Sequence, residues 1–419
     1  LALRSLCGLR LPSITEYISE PLQRSLLDAS AYVRKTAVMG ILKLHYLAPD
    51  IVLESSLVEK LYMALLDSDP QVVTNCLIVL DEMHAAKGGM SINKNIIFNL
   101  LNRLDSFNEW GLCKVLNLVS RFDTESDEET YVIMNLLDPV LRTSNSGVVL
   151  IAIKCFINLT KTIPDIRNQV YERCKGPLLT LMTASSPEAL HCVLAHILII
   201  AKIKQGIFDS DYRVFFVRYN DPSQVSRMKV ELLSLVSNAT NVKEILAELA
   251  EYVSGTDPEL SKQTVKAIGE ICYRVPGGSS VGMDHLIDLL QVENEYIRGE
   301  AAISIRDLLR RYPDLRHQVL PLLRKCLNIS MVDSYSQSRG RSAVIWMVGE
   351  FGQEIVEAPY MLETLVDSYY DSLTVTEKLE LLTAVLKLFF LRPPEVKSML
   401  GRLMVLTLDD NSNQANKTI

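Results

Sequence analysis

An all-α chain built from repeated helix pairs is what this sequence predicts, and three observations predict it. Residues 27–45, LDASAYVRKTAVMGILKLH, recur about 39 positions later as residues 66–84, LDSDPQVVTNCLIVLDEMH. Each copy opens with an Asp and a polar or Pro-containing turn. Each then sets apolar residues at helical spacing: Val33, Ala37, Ile41 and Leu44 in the first, and Val72, Cys76, Leu80 and Met83 in the second. Composition agrees with this pattern. Of 419 residues, 48% are hydrophobic but only 7% aromatic, so Leu, Ile, Val and Ala carry the burial, as in packed helices rather than a β-sandwich.

The elements follow in order. Residues 1–10 read as a helix entered part-way, broken at Pro12 and Ser13, and residues 14–27 rebuild a helix. The first copy is closed by Pro49, and residues 52–66 supply the helix that leads into the second. A third copy keeps the register at Gly111, Val115, Val119 and Phe122, and an acidic loop over 123–129 follows it. The fourth runs through Val148, Ala152, Phe156 and Leu159, and the fifth through Ala189, Val193, Ile197 and Ile200. Register loosens over 208–222, FDSDYRVFFVRYNDP. Core packing is the plain reading of Phe215, Phe216 and Tyr219 there, and a joint between two lengths of the array is the sharper one.

The pattern resumes at Val225, Met228, Leu232 and Leu235, then at Leu260, Thr264, Ile268 and Ile271 behind Asp257 and Pro258. Residues 277–280, GGSS, read as a flexible loop. Later copies place Ile297, Ala301, Ile305 and Leu308, then residues 343–351, then Val375, Leu379, Thr383 and Leu386, stopped by Pro393 and Pro394. Asp or Pro in the turns is expected to cap or start the second helix of each pair.

A spacing from the mid-thirties to the low forties suits HEAT or armadillo units better than the strict 34-residue tetratricopeptide, whose signature residues are also missing. One helix pair cannot bury both of its apolar faces, so copies must stack. The prediction is therefore a HEAT/armadillo-like α-solenoid of about ten helix pairs over residues 1–408, with no β-sheet. A looser joint is expected near 205–222 and a frayed tail over 409–419.

Chemistry is sparse. A net charge of −7 and a pI of about 5.6 argue against a general nucleic-acid binder. Eight cysteines occur with no C-x-x-C pair, which reads as reduced core thiols of a cytoplasmic protein. His45 and His84 repeat at helix ends and read as structural. His191 and His196 miss the spacing of a helical zinc site. Neither glycine pair, 88–89 or 277–278, has a phosphate-loop pattern. No catalytic residue, cofactor site or metal site is predicted, so the chain is expected not to be an enzyme. Trp346 reads as a core anchor.

One charged group stands out: Arg298, Arg306, Arg310, Arg311, Arg316, Arg324, Lys325, Arg339 and Arg341, a basic bias inside an acidic chain. It reads either as a solvated outer face or as a contact for acidic partner helices or an anionic membrane surface, with Arg306, Arg310, Arg311 and Arg316 at its centre.

Particular runs also carry a resemblance. YVRKTAVMGILKLH (32–45), FFVRYNDP (215–222), KAIG (266–269), IWMVGE (345–350) and LTAVLKLFFLRP (382–393) are similar, in this order, to the β-type large subunits of the heterotetrameric adaptor protein complexes. Ile92, Asn93 and Lys94, LLNRL (100–104), Trp110 and Gly111, Val115 and Leu116, KGPLL (175–179), APY (358–360) and MLGRL (399–403) resemble the β subunit of the fourth such complex. The resemblance implies a non-catalytic scaffold, a solenoid trunk assembled with a second large, a medium and a small subunit. It implies recruitment by an Arf-class GTPase and sorting of transmembrane cargo into clathrin-independent vesicles. The location it implies is peripheral, on trans-Golgi network or endosomal membranes, with no nucleic acid. It places the family's first trunk helices ahead of Leu1 and its hinge and appendage beyond the tail, so the GTPase contact is assigned to no residue. Other solenoids, a nuclear transport receptor or a phosphatase regulatory subunit, are the alternatives. The first would need a repeated W-x-x-x-N ladder that Trp110 and Trp346 do not supply.

Overall fold

The computed structural model describes residues 2–9, 15–161, 163–184, 186–255, 257–292, 294–317, 319–320 and 338–409. Every regular element among them is helical, and none is a strand. The chain forms two compact units, Leu1–His196 and Ile197–Ile419.

The first unit is a two-layer stack. One layer is α1 (Ala2–Leu6), α3 (Ala31–Leu47), α6 (Pro70–Met83), α8 (Glu109–Val119) and α10 (Ser146–Leu159), each packed on the next. The other holds α2 (Thr15–Ser25), α4 (Pro49–Glu54), α5 (Leu57–Ala64), α7 (Lys94–Leu101), α9 (Asp127–Leu137) and α11 (Pro164–Ala184). Helix α12 (Pro187–Ile203) carries the boundary between the units. The second unit repeats the plan. Its first layer is α13 (Ser223–Val236), α15 (Pro258–Arg274), α17 (Glu295–Arg311), α18 (Ser338–Glu350) and α20 (Val375–Leu391). Its other layer holds α14 (Val242–Val253), α16 (Gly278–Leu289), α19 (Ala358–Thr364) and α21 (Pro393–Asp409).

Helix starts follow the turn residues. The Asp69 carboxylate accepts from the Gln71 and Val72 amides at 2.8 and 3.3 Å, with Pro70 in the first turn, and Asp257 does the same ahead of Pro258. Asn93, Asn108, Asn145 and Asn294 cap four more helices. Helix ends are finished by the next repeat. Asn158 donates to the Ser120 carbonyl at 3.0 Å across 38 positions, and the Tyr312 hydroxyl to the Tyr273 carbonyl at 3.2 Å across 39. Arg274 donates to the Ser234 and Leu235 carbonyls, and Arg392 to those of Gly352 and Ile355. The Ser120, Tyr273, Ser234 and Leu235 carbonyls are among those a helix leaves without an internal partner, and those of Gly352 and Ile355 lie in the turn after α18.

Helices of the first layer are close-packed against their neighbours where the resemblance-bearing runs place glycine. A Cβ on Gly349 would lie 2.5 Å from the Ala384 Cβ, one on Gly269 would lie 2.7 Å from the Ser304 Cβ, and one on Gly40 would lie 2.7 Å from the Leu22 Cδ2.

Three local expectations change. Pro49 opens α4 instead of only closing α3, because a first-turn proline loses no needed N–H. Gly278, Ser279 and Ser280 begin α16 rather than forming a loop, and only Gly277, at φ +84°, turns the chain. Asp409 ends α21 instead of starting a tail; the tail beyond it lies outside the described residues.

The loose stretch is a 3₁₀ segment, Asp209–Phe215, followed by a non-helical connection to α13. Its aromatics divide. Phe215 is buried edge-on against Phe208 at 6.1 Å between ring centres, while Tyr219 is fully exposed. Beneath the connection, the buried Lys229 Nζ sits 2.6 Å from the Asp221 carboxylate and donates to the Phe216 carbonyl at 3.2 Å. The Val217 amide donates to the Tyr252 hydroxyl at 2.9 Å. Burial, then the hydrogen bond to Glu248, push that phenol far above its usual range.

Candidate interaction surface

Helix α17, EYIRGEAAISIRDLLRR, buries Ile297, Ala301, Ala302, Ile305, Leu308 and Leu309, which leaves arginines for the opposite side. Three of them, Arg306, Arg310 and Arg311, line a groove of about 950 Å³ with residues of α15, the end of α13 and the start of α18. The Arg310 guanidinium lies over the Trp346 ring at 4.6 Å, with Glu380 at 3.8 Å. The Arg311 guanidinium lies over the Tyr273 ring at 4.2 Å and donates to the Tyr312 hydroxyl at 3.2 Å. Contact with the Tyr273 and Tyr312 phenols raises its already high pKa, so it stays charged. Arg306 is held by Asp307, Nε to Oδ1 at 3.0 Å.

The predicted centre therefore divides. Arg316 is exposed beyond the 3₁₀ turn Pro313–Leu315 and does not line the groove. Arg341 pairs with the buried Glu377 at 3.5 Å. Arg324 and Lys325 lie outside the described residues. Lys266, Tyr273 and Arg274 of α15 were missed, although Tyr273 and Tyr312 occupy equivalent repeat positions and the YR pair at 273–274 is answered by RRY at 310–312. Trp346 is buried, as a core anchor should be.

A second groove, about 520 Å³, lies in the first unit among Arg4, Lys35, Lys43, Tyr32 and Trp110. Trp110 there is 82% exposed.

The remaining reactive groups are quiet. Burial pushes the thiols of Cys76, Cys155, Cys174 and Cys272 up to about 12. The His84 ring nitrogen Nδ1 sits 2.9 Å from the Leu80 carbonyl at the end of α6, a structural place. Among the described residues no group of His, Cys, Asp or Glu could hold a metal, and no helix is long and apolar enough to cross a membrane.

The pattern of the adaptin N-terminal region matches residues 1–416. The chain belongs to the adaptin family. Its relatives place this adaptin among the β-type subunits. It is 37% identical to the mouse AP-4 complex subunit beta-1 over 99% of this chain and 55% of that protein. It is 35% identical to Beta-adaptin-like protein A of Arabidopsis thaliana, over 98% of this chain and 50% of that one. With the human AP-1 complex subunit beta-1 the identity is 32%, over 99% and 43%. The chain thus spans about half the length of the curated relatives it matches. Adaptins are structural adaptor scaffolds rather than enzymes. Two structural likenesses show the fold. A chain of a homology model of the full-length AP-3 complex in an intermediate open conformation matches at a TM-score of 0.64 and 17% identity, over 99% of this chain and 79% of that one. Kap121p bound to Nup53p matches at 0.54 and 12%, over 94% and 44%. Both support the all-α, HEAT-like solenoid.

Proposed function

We propose that this adaptin is the scaffold trunk of the β subunit of the fourth adaptor complex, serving vesicle-mediated transport. In this reading it assembles with a second large, a medium and a small subunit. An Arf-class GTPase recruits the complex to the cytoplasmic face of trans-Golgi network or endosomal membranes, where it sorts transmembrane cargo. The observation that carries the reading is a match to the adaptin N-terminal region along residues 1–416, joined to a stack whose helix ends and close contacts are built repeat on repeat. Such a stack offers long helical faces to other subunits. The choice of the fourth complex is supported by the runs around Trp110, 175–179 and 399–403 and by the relative at 37% identity.

Co-expression tests it. The chain, extended to the length of its relatives, is produced with the other subunits of the fourth complex and, separately, with those of the first. Recovery with the fourth set alone is expected. Recovery with the first set alone would move the chain to that complex, and recovery with neither would remove the scaffold reading.

A further inference from the structure

We propose that the groove between α15, α17 and α18 binds an acidic, carboxylate-bearing segment of a partner polypeptide. The inference stands on the groove alone and does not depend on which complex the chain enters.

Charge is the first argument. Six basic side chains line the groove (Lys266, Arg274, Arg306, Arg310, Arg311, Arg339) against three acidic ones (Glu270, Glu300, Asp307), a surplus of three in a chain of net charge −7. Two of the basic groups are already committed. Arg306 is bonded to Asp307, and Arg274 donates to helix-end carbonyls of α13. The other four are held loosely or not at all. Glu270 stands 3.7 Å from Lys266 and Glu380 3.8 Å from Arg310, both beyond a good hydrogen bond. Arg311 contacts phenols and no carboxylate among the described residues. Arg339 is exposed and makes no ion pair among the described residues.

Preorganisation is the second. Arg310 and Arg311 lie over Trp346 and Tyr273, so the rings restrict both guanidinium groups before any ligand arrives. A restricted guanidinium can present two parallel N–H groups to a carboxylate and loses less freedom in doing so.

Shape and mixed charge select a peptide over a bilayer. The groove is concave, and Leu235 and Ile303 give it apolar surface. Glu270 and Glu300 would repel a sheet of lipid phosphates, yet they offer acceptors to the amides of an extended chain. A threading segment can place its carboxylates on the arginines and avoid those two residues, which a flat anionic surface cannot do.

The test uses the full chain and a short fluorescein-labelled peptide of alternating Glu and Ser, followed by anisotropy at about 0.15 M salt, where charges more than ~8 Å apart are largely screened, with a Lys-and-Ser peptide as control. Saturable binding of the acidic peptide is expected. Arg339→Glu and Arg311→Glu should each weaken it about tenfold or more, and Arg311→Lys should lose a large part of it despite its charge. Arg316→Glu, outside the groove, should change affinity less than about twofold. Circular dichroism checks folding; should Arg311→Glu unfold the chain, the exposed Arg339 decides by itself. Binding indifferent to Arg339→Glu, or weakened as much by Arg316→Glu, overturns the proposal. Vesicles containing phosphatidylserine that bind through Arg311 and Arg339 while the acidic peptide does not bind would assign the groove to a membrane instead.

Discussion

Between α3 and α6 the packing is apolar. Ala37, Val38, Ile41 and Leu44 on one helix, and Val72, Val73, Cys76 and Leu80 on the other, are buried to 2% exposure or less. Between α13 and residues 216–222 the contact is carried by charge: a buried lysine holds a carboxylate and a carbonyl of a non-helical stretch. The difference lies in the backbone. A helix satisfies its own amides and carbonyls, so a neighbouring helix need offer only apolar surface. A connection that leaves helical geometry carries unpaired polar groups under the fold, and each needs a donor or acceptor brought to it. Lys229, Asp221 and Tyr252 supply these where the repeat cannot.

The largest effect should come from breaking the charged contact on one side. Lys229→Met takes the ammonium from the Phe216 carbonyl and from the Asp221 carboxylate, which keeps the Arg218 amide at 2.8 Å, a loss of about 3–5 kcal/mol in denaturant unfolding. Adding Asp221→Leu should recover a good part of it, and no recovery would mean that Lys229 acts through packing. The apolar contact breaks next. Gly349→Ala forces a methyl against Ala384 and should cost about 1–3 kcal/mol, whereas Gly176→Ala, where nothing lies within 4 Å, should cost nothing measurable.

A smaller effect sharpens the comparison where α3 meets the turn before α6. Asp67 and Arg34 form a two-point pair, 2.6 and 2.9 Å, with both side chains largely buried. Burial draws the Asp67 carboxyl upward, but the Arg34 hydrogen bond and the Asp69 amide outweigh it and hold its pKa below the ordinary value. A carboxyl lowered on folding stabilises fully above its unfolded pKa and loses that contribution as pH falls through the folded value. Wild type should therefore lose stability on acidification below about pH 4 by more than Asp67→Asn does. The least perturbing check is chemical. Exposed Cys192 should react with a maleimide at neutral pH well before Cys76, Cys155, Cys174 and Cys272, whose thiols are buried and protonated.

Much of the first layer was legible because its signal is local. Residues four apart on α6, Val72, Cys76 and Leu80, share one face, and Asp69 with Pro70 marks where that helix starts. The recurrent runs hid a physical reason that the fold supplies: Gly40, Gly269 and Gly349 sit where a neighbour leaves no room for a side chain. Other features had no local signal. Arg274 and Arg392 bond to carbonyls about forty positions upstream, and a carbonyl has no letter in the sequence. Lys229 lies on a helix where a lysine ordinarily faces water. The groove draws on helices far apart in the chain, so reading along α17 found Arg306, Arg310 and Arg311 but added Arg316 and left out Tyr273 and Arg274.

The most direct test of repeat-on-repeat stability is hydrogen exchange read along the chain of Gly349→Leu. A leucine there collides with Ala384. If each repeat is held by its neighbours, protection should fall in α18, α20 and the helices that touch them, while α3 and α6 keep theirs. Loss spread evenly from α3 to α20 would contradict the account.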